Sequence, residues 1–289
     1  MTENTTTTPA HVGVLGGGRM GAGIAHAFLL AGSRVTVVER DGAAAEAASA
    51  RVLESVDASI SRGTAGESAD AYRSRFETGA DAALFAPCGL VVEAVPEELS
   101  LKIDALTRVE AQIAPDAVLA SNTSSISIDE LAAVLEHPSR FLGMHFFNPV
   151  PASTLVEIVR GAASAPALVD AARGWVQALG KTPIVVADAP GFASSRLGLA
   201  LGLEAIRMLE DGVASAEDID AAMTLGYKQP VGPLRLTDIV GLDVRLGIAE
   251  YLAANLGERF EPPALLRRLV AEGHLGRKSG RGFYEWDAS

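Results

Sequence analysis

A histidine and a glutamate, each set inside an apolar run, are the residues of this chain best suited to acid–base chemistry. His145 lies in the run at 141–147, which ends in an Asn-Pro turn. Glu157 interrupts a second run at 155–159, where a carboxylate is costly to bury without a partner. A Pro-Val-Pro bend between them would fold the second run back against the first. The pattern favours a general base held by an orienting anion, against the alternative of a core histidine bonded to a backbone carbonyl.

A glycine-rich turn near the N-terminus has the spacing of a dinucleotide-binding loop. Gly16, Gly18 and Gly21 follow an apolar run that starts at Val12, and an alanine-rich helical segment comes next. The first glycine permits a tight turn, the second lets the backbone approach a pyrophosphate, and the third lets the helix pack closely on its strand. The N–H groups at the start of that helix would face the anion. Glycine-rich turns also occur for packing alone, so the surrounding elements decide between the two interpretations.

An acidic residue at the end of the next apolar run completes this pattern and bears on the choice of cofactor. Glu39 lies 21 residues beyond Gly18, where a carboxylate can accept hydrogen bonds from ribose hydroxyls and would repel a 2′-phosphate. Arg40 follows at once and would favour that phosphate. The position of Glu39 at the expected strand end favours NAD over NADP.

Composition limits the class of protein. The 289 residues are enough for two domains, and 48% hydrophobic with 5% aromatic content is typical of a globular enzyme. A net charge of −12 argues against nucleic acid or an anionic membrane surface as a partner. No apolar run reaches the roughly 18 residues of a membrane span, and we expect neither a signal peptide nor a metal site. The single cysteine, Cys88, is expected to be a buried core thiol in a reducing, cytoplasmic compartment.

Strand-like and helical segments alternate over the first two thirds of the chain. This order predicts an α/β fold with a doubly wound, mainly parallel sheet. The expected strands are 12–16, 35–39, 89–95, 117–121, 141–146, 155–159 and 183–187. Residues 42–87 are too long for a simple crossover, and we expect a helical excursion there with arms at 43–62 and 71–79.

Strand patterns stop at residues 190–191, and helical patterns continue to the end. The expected helices are 192–211, 215–225, 241–256 and 263–272. We therefore expect three parts: a frayed tail at 1–10, an α/β domain at 11–189 and an all-helical domain at 190–289. A small helical domain with exposed apolar faces commonly pairs with a second copy, so a homodimer is also expected.

Ordered motifs over nearly the whole chain after the tail resemble the short-chain L-3-hydroxyacyl-CoA dehydrogenases. They comprise residues 16–25, 91–95 with Glu97, 120–125, 145–151, 155–161, 188–192 with Arg196, 230–233, 241–243 and 276–284. The resemblance implies a Rossmann-type NAD-binding domain and a helical domain that serves the substrate cleft and dimerisation. It further implies an NAD-dependent oxidoreductase that interconverts (S)-3-hydroxyacyl-CoA, of short chain such as 3-hydroxybutyryl-CoA, and 3-oxoacyl-CoA.

The resemblance also implies roles for individual residues. His145 would take the proton of the 3-hydroxyl, and Glu157 would hold the imidazole tautomer and stabilise the imidazolium. Cofactor contacts are implied for a polar and charged set: Glu97, Lys102, Ser124, Asn148 and Lys278. Ser124 and Asn148 are also implied to contact the substrate, and they join His145 and Glu157 in the implied catalytic set. Taken without the family, Ser124 is equally an ordinary turn or helix cap, and Lys278 equally a solvated surface residue.

Two departures from the family's pattern concern the substrate. Ser195 precedes Arg196 where the family usually has asparagine, and a hydroxyl offers fewer hydrogen-bonding groups than an amide. Ser55 and Arg62 match positions that contact CoA, but residues 41–87 hold four arginines against eight acidic residues. The same hydride chemistry on an acyl carrier protein or a free 3-hydroxy acid therefore stays open. A non-catalytic dinucleotide-binding protein is a remoter alternative, because fold alone does not establish catalysis.

Overall fold

A computed structural model describes residues 7–287 of the chain. Contacts divide the chain into two units, between Asp188 and Ala189, and each unit has its own buried apolar cluster. Most of the tail predicted at 1–10 lies outside the described residues. The carbonyl of Pro9 accepts a hydrogen bond from the Ser33 hydroxyl at 2.8 Å, and that of Ala10 accepts one from the Arg34 N–H at 2.9 Å. The frayed tail therefore does not extend to residues 9 and 10.

The first unit is built on an eight-stranded sheet with the order β3-β2-β1-β4-β5-β6-β7-β8. Its strands are β1 (His11–Leu15), β2 (Arg34–Val38), β3 (Phe76–Gly79), β4 (Leu90–Glu93), β5 (Val118–Ser121), β6 (Phe141–Phe146), β7 (Leu155–Arg160) and β8 (Thr182–Ala187). Neighbouring strands are parallel except for β6 and β7, which are antiparallel. The predicted doubly wound, mainly parallel sheet is confirmed.

Helices cover this sheet and supply much of its core. They are α1 (Arg19–Leu30), α2 (Gly42–Ser61), α3 (Ala69–Ser74), α4 (Leu99–Glu110), α5 (Ile128–Ala132) and α6 (Pro166–Ala178). Phe28 of α1, Val52 of α2 and Ala172 of α6 are fully buried in one cluster with strand residues such as Val14. Burying these apolar side chains removes them from water and holds the helices on the sheet.

The helical arm predicted at 71–79 is wrong in its second half. Helix α3 ends at Ser74, and Phe76–Gly79 forms β3, which pairs in parallel with β2 and places Phe76 opposite Val35. Four residues are too few to nucleate a stable helical turn of their own, whereas the open edge of β2 offers ready-made hydrogen-bonding partners. The excursion at 42–87 is therefore mixed rather than wholly helical.

The second unit consists of helices, with two isolated β-bridges as the β-pairing found among its described residues. Its helices are α7 (Ser194–Glu210), α8 (Ala216–Ala221), α9 (Pro233–Val240), α10 (Leu242–Leu256) and α11 (Ala264–Ala271). Helix α9 was not expected from the sequence, although Pro233 is a favourable first helical residue. Gly241, with a φ of +108°, separates α9 from α10.

The single cysteine, Cys88, is a buried residue of the first unit. Burial raises the pKa of its thiol to about 12, so the thiol stays protonated, as predicted for a core cysteine. Within residues 7–287, no helix has the length and apolar character to cross a membrane. The same residues contain no group of three or more His, Cys, Asp or Glu side chains placed to hold a metal ion.

Candidate active site

The carboxyl edge of the parallel strands gathers the residues of interest in the first unit. The register places Leu15 of β1 beside Glu93 of β4, Glu93 beside Ser121 of β5, and Ser121 beside Gly143 of β6. The strand order reverses between β1 and β4. In doubly wound folds ligands bind outside the carboxyl ends of the strands at such a reversal.

The glycine loop after β1 fits a dinucleotide pyrophosphate. Gly16 has a φ of +92°, and a Cβ on Gly21 would lie 1.7 Å from the Gly16 carbonyl oxygen, so only glycine allows this approach. Gly18 is different, because nothing lies within 4 Å of the place that its Cβ would occupy. It begins α1 without a side-chain cap. The start of α1 therefore presents open backbone that a phosphate can reach.

Glu39 stands at the end of β2 and is fastened to the same loop. Its Oε1 accepts a hydrogen bond from the Gly17 N–H at 2.7 Å. The neighbouring Arg40 directs its guanidinium to Asp41 at 3.1 Å, and 82% of its side chain is exposed. Glu39, and not Arg40, is therefore hydrogen-bonded to the glycine loop, in keeping with the predicted preference for NAD.

His145 and Glu157 face each other across the antiparallel pair β6–β7. The register places them directly opposite, and His145 Nδ1 lies 2.8 Å from Glu157 Oε2. Glu157 is fully buried and His145 is 7% exposed. The expectation that the second apolar run folds back against the first is confirmed, and it brings the two side chains together.

This contact determines which nitrogen of the imidazole carries the lone pair. A carboxylate accepts a proton donor, so Nδ1 carries the hydrogen in the neutral ring and Nε2 is the basic nitrogen. The ring of His145 also packs against Phe147, with centroids 4.4 Å apart. The pair therefore has the arrangement of a general base and its orienting anion.

A partly buried amide, Asn122, which sequence analysis did not single out, holds the end of β6. The Asn122 Oδ1 accepts a hydrogen bond from the backbone N–H of Phe146 at 2.8 Å, which ties the loop after β5 to the residue after His145. Asn148 follows in the exposed loop, where its bond to Pro149 is cis. Asn122 falls inside one of the quoted motifs, so its position alone could have drawn attention to it.

Glu97 and Ser124 lie in one network at the carboxyl edge. The Oε1 of Glu97 accepts hydrogen bonds from the Ser124 N–H at 2.8 Å, the Ser125 N–H at 3.0 Å and the Thr123 hydroxyl at 2.6 Å. Burial by itself would raise the pKa of Glu97, but the charge of Lys102 and these hydrogen bonds outweigh it and hold the pKa below its usual value. Two of the predicted cofactor residues are thus brought together.

Lys102 lies beneath this network and is 1% exposed. Its Nζ donates to Glu93 Oε1 at 2.8 Å and to the Val95 carbonyl at 3.2 Å, and it lies 3.3 Å from Glu97 Oε2. Glu93 itself is fully buried and was not among the predicted site residues. The signal that pointed to Glu157, a carboxylate that interrupts an apolar run, would have found Glu93 in the run at 89–95 as well.

A basic cavity opens in the first unit beside the loop that follows His145. Its volume is about 800 Å³, and its lining includes His26, Ser59, Arg62, Pro149, Pro151 and Lys181. Aspartate and glutamate are absent from the lining among the described residues. The Nζ of Lys181 donates to the Val150 carbonyl at 2.7 Å, so this ammonium is held in place.

His26, in the lining of this cavity, has a shifted pKa. Burial lowers its pKa below the usual value, and the charges of Arg62 and Lys181 lower it further. Its Nε2 lies 2.9 Å from the Ser59 hydroxyl, whereas its Nδ1 is buried without a hydrogen-bonding partner. The cavity is therefore positive, which suits an anionic ligand.

The predicted substrate residue Ser55 lies outside the lining of this cavity, and its hydroxyl donates to the Arg51 carbonyl at 2.9 Å. The acidic character of 41–87 is partly offset by local ion pairs. Arg75 contacts Glu67 at 2.7 Å, and Arg73 contacts Asp57 at 3.4 Å. The positive charge that faces the cavity comes partly from Lys181, which belongs to neither the excursion nor the predicted set.

In the second unit, two predicted site residues are placed on different elements. Ser195 is half-buried in the first turn of α7. Lys278 lies in a glycine-flanked turn, where its Nζ contacts Asp243 Oδ2 of α10 at 2.6 Å. Lys278 is thus ion-paired, and 48% of its side chain is exposed.

The open glycine loop and the histidine–glutamate pair on one doubly wound sheet are features of dinucleotide-dependent dehydrogenases. Comparison of the sequence with family models then gives two matches that together span most of the chain. Residues 11–189 match the 3-hydroxyacyl-CoA dehydrogenase NAD binding domain, and residues 191–286 match the 3-hydroxyacyl-CoA dehydrogenase C-terminal domain. The chain belongs to the 3-hydroxyacyl-CoA dehydrogenase family.

Individual relatives agree with this assignment. The chain is 41% identical over 279 residues to a 3-hydroxybutyryl-CoA dehydrogenase of Mycobacterium tuberculosis, covering 95% of this chain and 98% of that one. It is 40% identical to a 3-hydroxybutyryl-CoA dehydrogenase of Bradyrhizobium diazoefficiens, over 95% and 94% of the two chains. The crystal structure of the (S)-3-hydroxybutyryl-CoA dehydrogenase of Ralstonia eutropha superposes with a TM-score of 0.93 at 38% identity, covering 97% and 100%.

Proposed function

We propose that this protein is an NAD-dependent dehydrogenase that interconverts (S)-3-hydroxyacyl-CoA and 3-oxoacyl-CoA of short chain, such as the 3-hydroxybutyryl thioester. The observation that carries the proposal is the 2.8 Å contact between His145 Nδ1 and Glu157 Oε2, in a chain of this family. The names of the relatives support the substrate class.

The proton chemistry follows from the tautomer of His145. During oxidation Nε2 accepts the proton of the 3-hydroxyl as C3 becomes a carbonyl, and during reduction the imidazolium returns that proton to the oxygen. When bound, NAD+ would accept the hydride from C3 in the oxidation, and NADH would supply it in the reduction. Glu157 keeps Nδ1 protonated and stabilises the positive ring by its charge, 2.8 Å away in a buried setting.

Other residues bind and position. Glu39 would accept hydrogen bonds from the adenosine ribose hydroxyls. Ser124 and Asn148 would contact both the cofactor and the substrate. We assign Lys102 a supporting role, because its buried ammonium holds Glu97 in place beneath Ser124. Lys278 is proposed as a cofactor contact, oriented by Asp243.

A CoA thioester is preferred over a free acid or a carrier protein because of the basic cavity. Arg62 and Lys181 line a space of about 800 Å³, which is large enough for part of a nucleotide, and Pro149 and Pro151 connect its wall to the loop after His145. A free short-chain acid would leave this space and its charges unused.

The test is the loss of reduced-nicotinamide absorbance with acetoacetyl-CoA, run in parallel with NADH and NADPH. Rapid loss with NADH alone supports both the cofactor and the substrate. Folded protein that binds NADH yet reduces neither acetoacetyl-CoA nor the same acyl group on a carrier protein or as a free acid contradicts the proposal.

We also propose a homodimer in a cytoplasmic compartment. Most large exposed apolar side chains belong to the second unit: Leu197, Val213, Leu225, Tyr227, Leu236, Val240 and Val244. Leu225 and Tyr227 are 81% and 77% exposed, and exposed apolar side chains that gather in one patch mark an interaction surface. Sedimentation equilibrium checks the mass, which should be twice that of the chain. The compartment is supported by the one free thiol, Cys88.

A further inference from the structure

A fully buried carboxylate, Glu93, ends β4 and has no role in the proposed mechanism. Its Oε1 accepts hydrogen bonds from the Lys102 ammonium at 2.8 Å and the Val95 N–H at 2.7 Å. Its Oε2 accepts one from the Ser121 hydroxyl at 2.5 Å. All three partners are donors, as an ionised carboxylate requires. Because a buried ion pair is weak evidence for stability, the charge itself calls for another explanation.

The ionic trio of Glu93, Lys102 and Glu97 carries a net negative charge. The Lys102 Nζ lies 2.8 Å from Glu93 Oε1 and 3.3 Å from Glu97 Oε2, so one ammonium serves two carboxylates. In the part of the chain that the structure describes, no second basic side chain is ion-paired with either carboxylate. Burial would raise the pKa of Glu97, but the charge of Lys102 and hydrogen bonds lower it below the usual value. Glu97 is therefore ionised at neutral pH, and one negative charge is left over.

The strand order places this trio on the side of the sheet where the nicotinamide is expected. The strands follow the order β2-β1-β4-β5-β6 along the carboxyl edge. Glu39 at the end of β2 would hold the adenosine, the glycine loop after β1 the pyrophosphate, and His145 of β6 would face the carbon that exchanges the hydride. The nicotinamide then belongs on the side of β4, β5 and β6. Neighbouring strands are about 4.8 Å apart, so β4 and β6 are roughly 10 Å apart.

The charge of the nicotinamide ring differs between the two forms of the cofactor, since the ring is a cation in NAD+ and neutral in NADH. A fixed negative charge nearby stabilises the cation far more than the neutral ring, and burial strengthens the effect. We propose that Glu93, by leaving the ionic trio negative, is a specificity-determining residue that favours binding of the oxidised cofactor over the reduced one. This inference rests on the proposed function, because the roles of Glu39 and His145 define the direction of the cofactor.

The first test uses the natural protein and two dinucleotides. One is NAD+, and the other is its analogue with benzamide in place of nicotinamide, which keeps a flat ring with a carboxamide but lacks the positive charge. Displacement of NADH, followed by its fluorescence, gives both dissociation constants. We expect NAD+ to bind about five- to twentyfold more tightly than the neutral analogue. Equal affinities would overturn the proposal.

The second test changes the charge of Glu93. Glu93→Gln keeps an oxygen that can accept from Lys102, but the trio becomes neutral. The Kd for NAD+ should rise by about five- to twentyfold and the Kd for NADH by less than about twofold. Glu93→Asp keeps the charge and should keep most of the natural ratio of the two constants. Equal weakening of NAD+ and NADH in Glu93→Gln would make Glu93 a structural residue and overturn the proposal.

Glu110→Gln is the matched control, because it changes a second buried carboxylate of the same unit, about two turns along α4 from Lys102. Glu110 accepts hydrogen bonds from the Glu136 N–H at 2.8 Å and the His137 N–H at 3.0 Å. We expect a lower melting temperature and an unchanged ratio of the two dissociation constants. A ratio that shifts as in Glu93→Gln would show that any change to a buried carboxylate has this effect, and would overturn the proposal.

These binding measurements contain no thioester, so they are independent of the test of the proposed function. Charge-dependent binding of NAD+ without reduction of acetoacetyl-CoA would support this inference and contradict the proposed substrate. Reduction of acetoacetyl-CoA without charge-dependent binding would overturn this inference alone.

Discussion

At the scale of single residues, the proposed chemistry rests on two buried ionisable side chains, His145 and Glu157. Glu157 on an interior strand would be destabilising alone, and His145 provides the partner that makes its burial tolerable. The same contact sets the tautomer of the imidazole, so stability and the proposed catalysis both depend on one hydrogen bond. Changing the charge of Glu157 without changing its shape separates these two contributions.

Glu157→Gln should lower kcat for acetoacetyl-CoA reduction by about 10²–10⁴-fold, because the imidazolium loses its counter-charge and the wrong tautomer becomes accessible. NADH binding, followed by fluorescence titration, should change little. Glu136→Gln, which alters an exposed carboxylate, is the control and should keep full activity. Activity within threefold of the natural protein in Glu157→Gln would refute the role assigned to this pair.

Glu39→Gln tests cofactor choice at a single residue. The amide oxygen can still accept the hydrogen bond from the Gly17 N–H, but the negative charge that repels a 2′-phosphate is gone. We expect the ratio of kcat/KM for NADPH to that for NADH to rise by about tenfold. The measurement is parallel turnover with both cofactors, and Glu46→Gln provides the exposed control. An unchanged ratio would mean that discrimination lies elsewhere.

At the scale of elements, the glycine loop and the helix after it act together. Gly21 allows α1 to approach the loop, whereas Gly18 leaves its backbone open to a ligand. The two glycines are close in sequence, yet they are needed for different reasons: Gly21 for packing and Gly18 for access of a ligand to the backbone. A pair of alanine substitutions distinguishes packing from binding.

Gly21→Ala should unfold or strongly destabilise the protein, because the added methyl would lie 1.7 Å from a backbone oxygen that cannot move away cheaply. Gly18→Ala should leave the melting temperature nearly unchanged and weaken NADH binding by tenfold or so, because the methyl projects into the phosphate site. Thermal melts and NADH titrations of both variants are the measurements. Unchanged NADH affinity in Gly18→Ala would place the cofactor elsewhere.

The network between β4 and the loop after β5 predicts an acid-sensitive contribution to stability. The pKa of Glu97 is lower in the folded protein than its usual value, so its stabilisation is complete above that usual value and is lost as pH falls through the folded one. Glu97→Gln should therefore be less stable than the natural protein at pH 7, and the difference in unfolding free energy should shrink below about pH 4.5. Urea unfolding across this range checks it. A difference that stays constant with pH would contradict it.

At the scale of the whole molecule, an overall charge of −12 coexists with a positive cavity in the first unit. Local ion pairs neutralise part of the excess negative charge of residues 41–87. Arg62 and Lys181 line the cavity from different parts of the chain. Net charge therefore did not predict the local field where the substrate's phosphates would bind.

Arg62→Met should raise KM for acetoacetyl-CoA by about five- to tenfold, because it removes one charge that would face a phosphate. KM for the acetoacetyl thioester of N-acetylcysteamine, which lacks the nucleotide, should stay the same. Arg73→Met, in the same excursion but paired with Asp57, is the control. Equal effects on both thioesters would show that the cavity does not bind the nucleotide part.

The amino-acid sequence determined the local patterns of this protein. Glycine spacing identified the loop, uninterrupted apolar runs identified most strands, and Glu157 was conspicuous because a charge in an interior strand needs a partner. It did not reveal β3, since Phe76–Gly79 becomes a strand only through the edge that β2 offers. It missed α9 for a similar reason, because eight residues gain most of their helical stability from packing.

Only the tertiary structure decided which distant groups meet. The contact of Lys102 with Glu93 and Glu97 and the addition of Lys181 to the basic cavity both join residues from separate elements. Electrostatic interactions depend on distance and burial, and neither quantity is written in residue order. Sequence spacing records what lies along one strand or helix, whereas the packing of elements sets the charge environment in which each side chain acts.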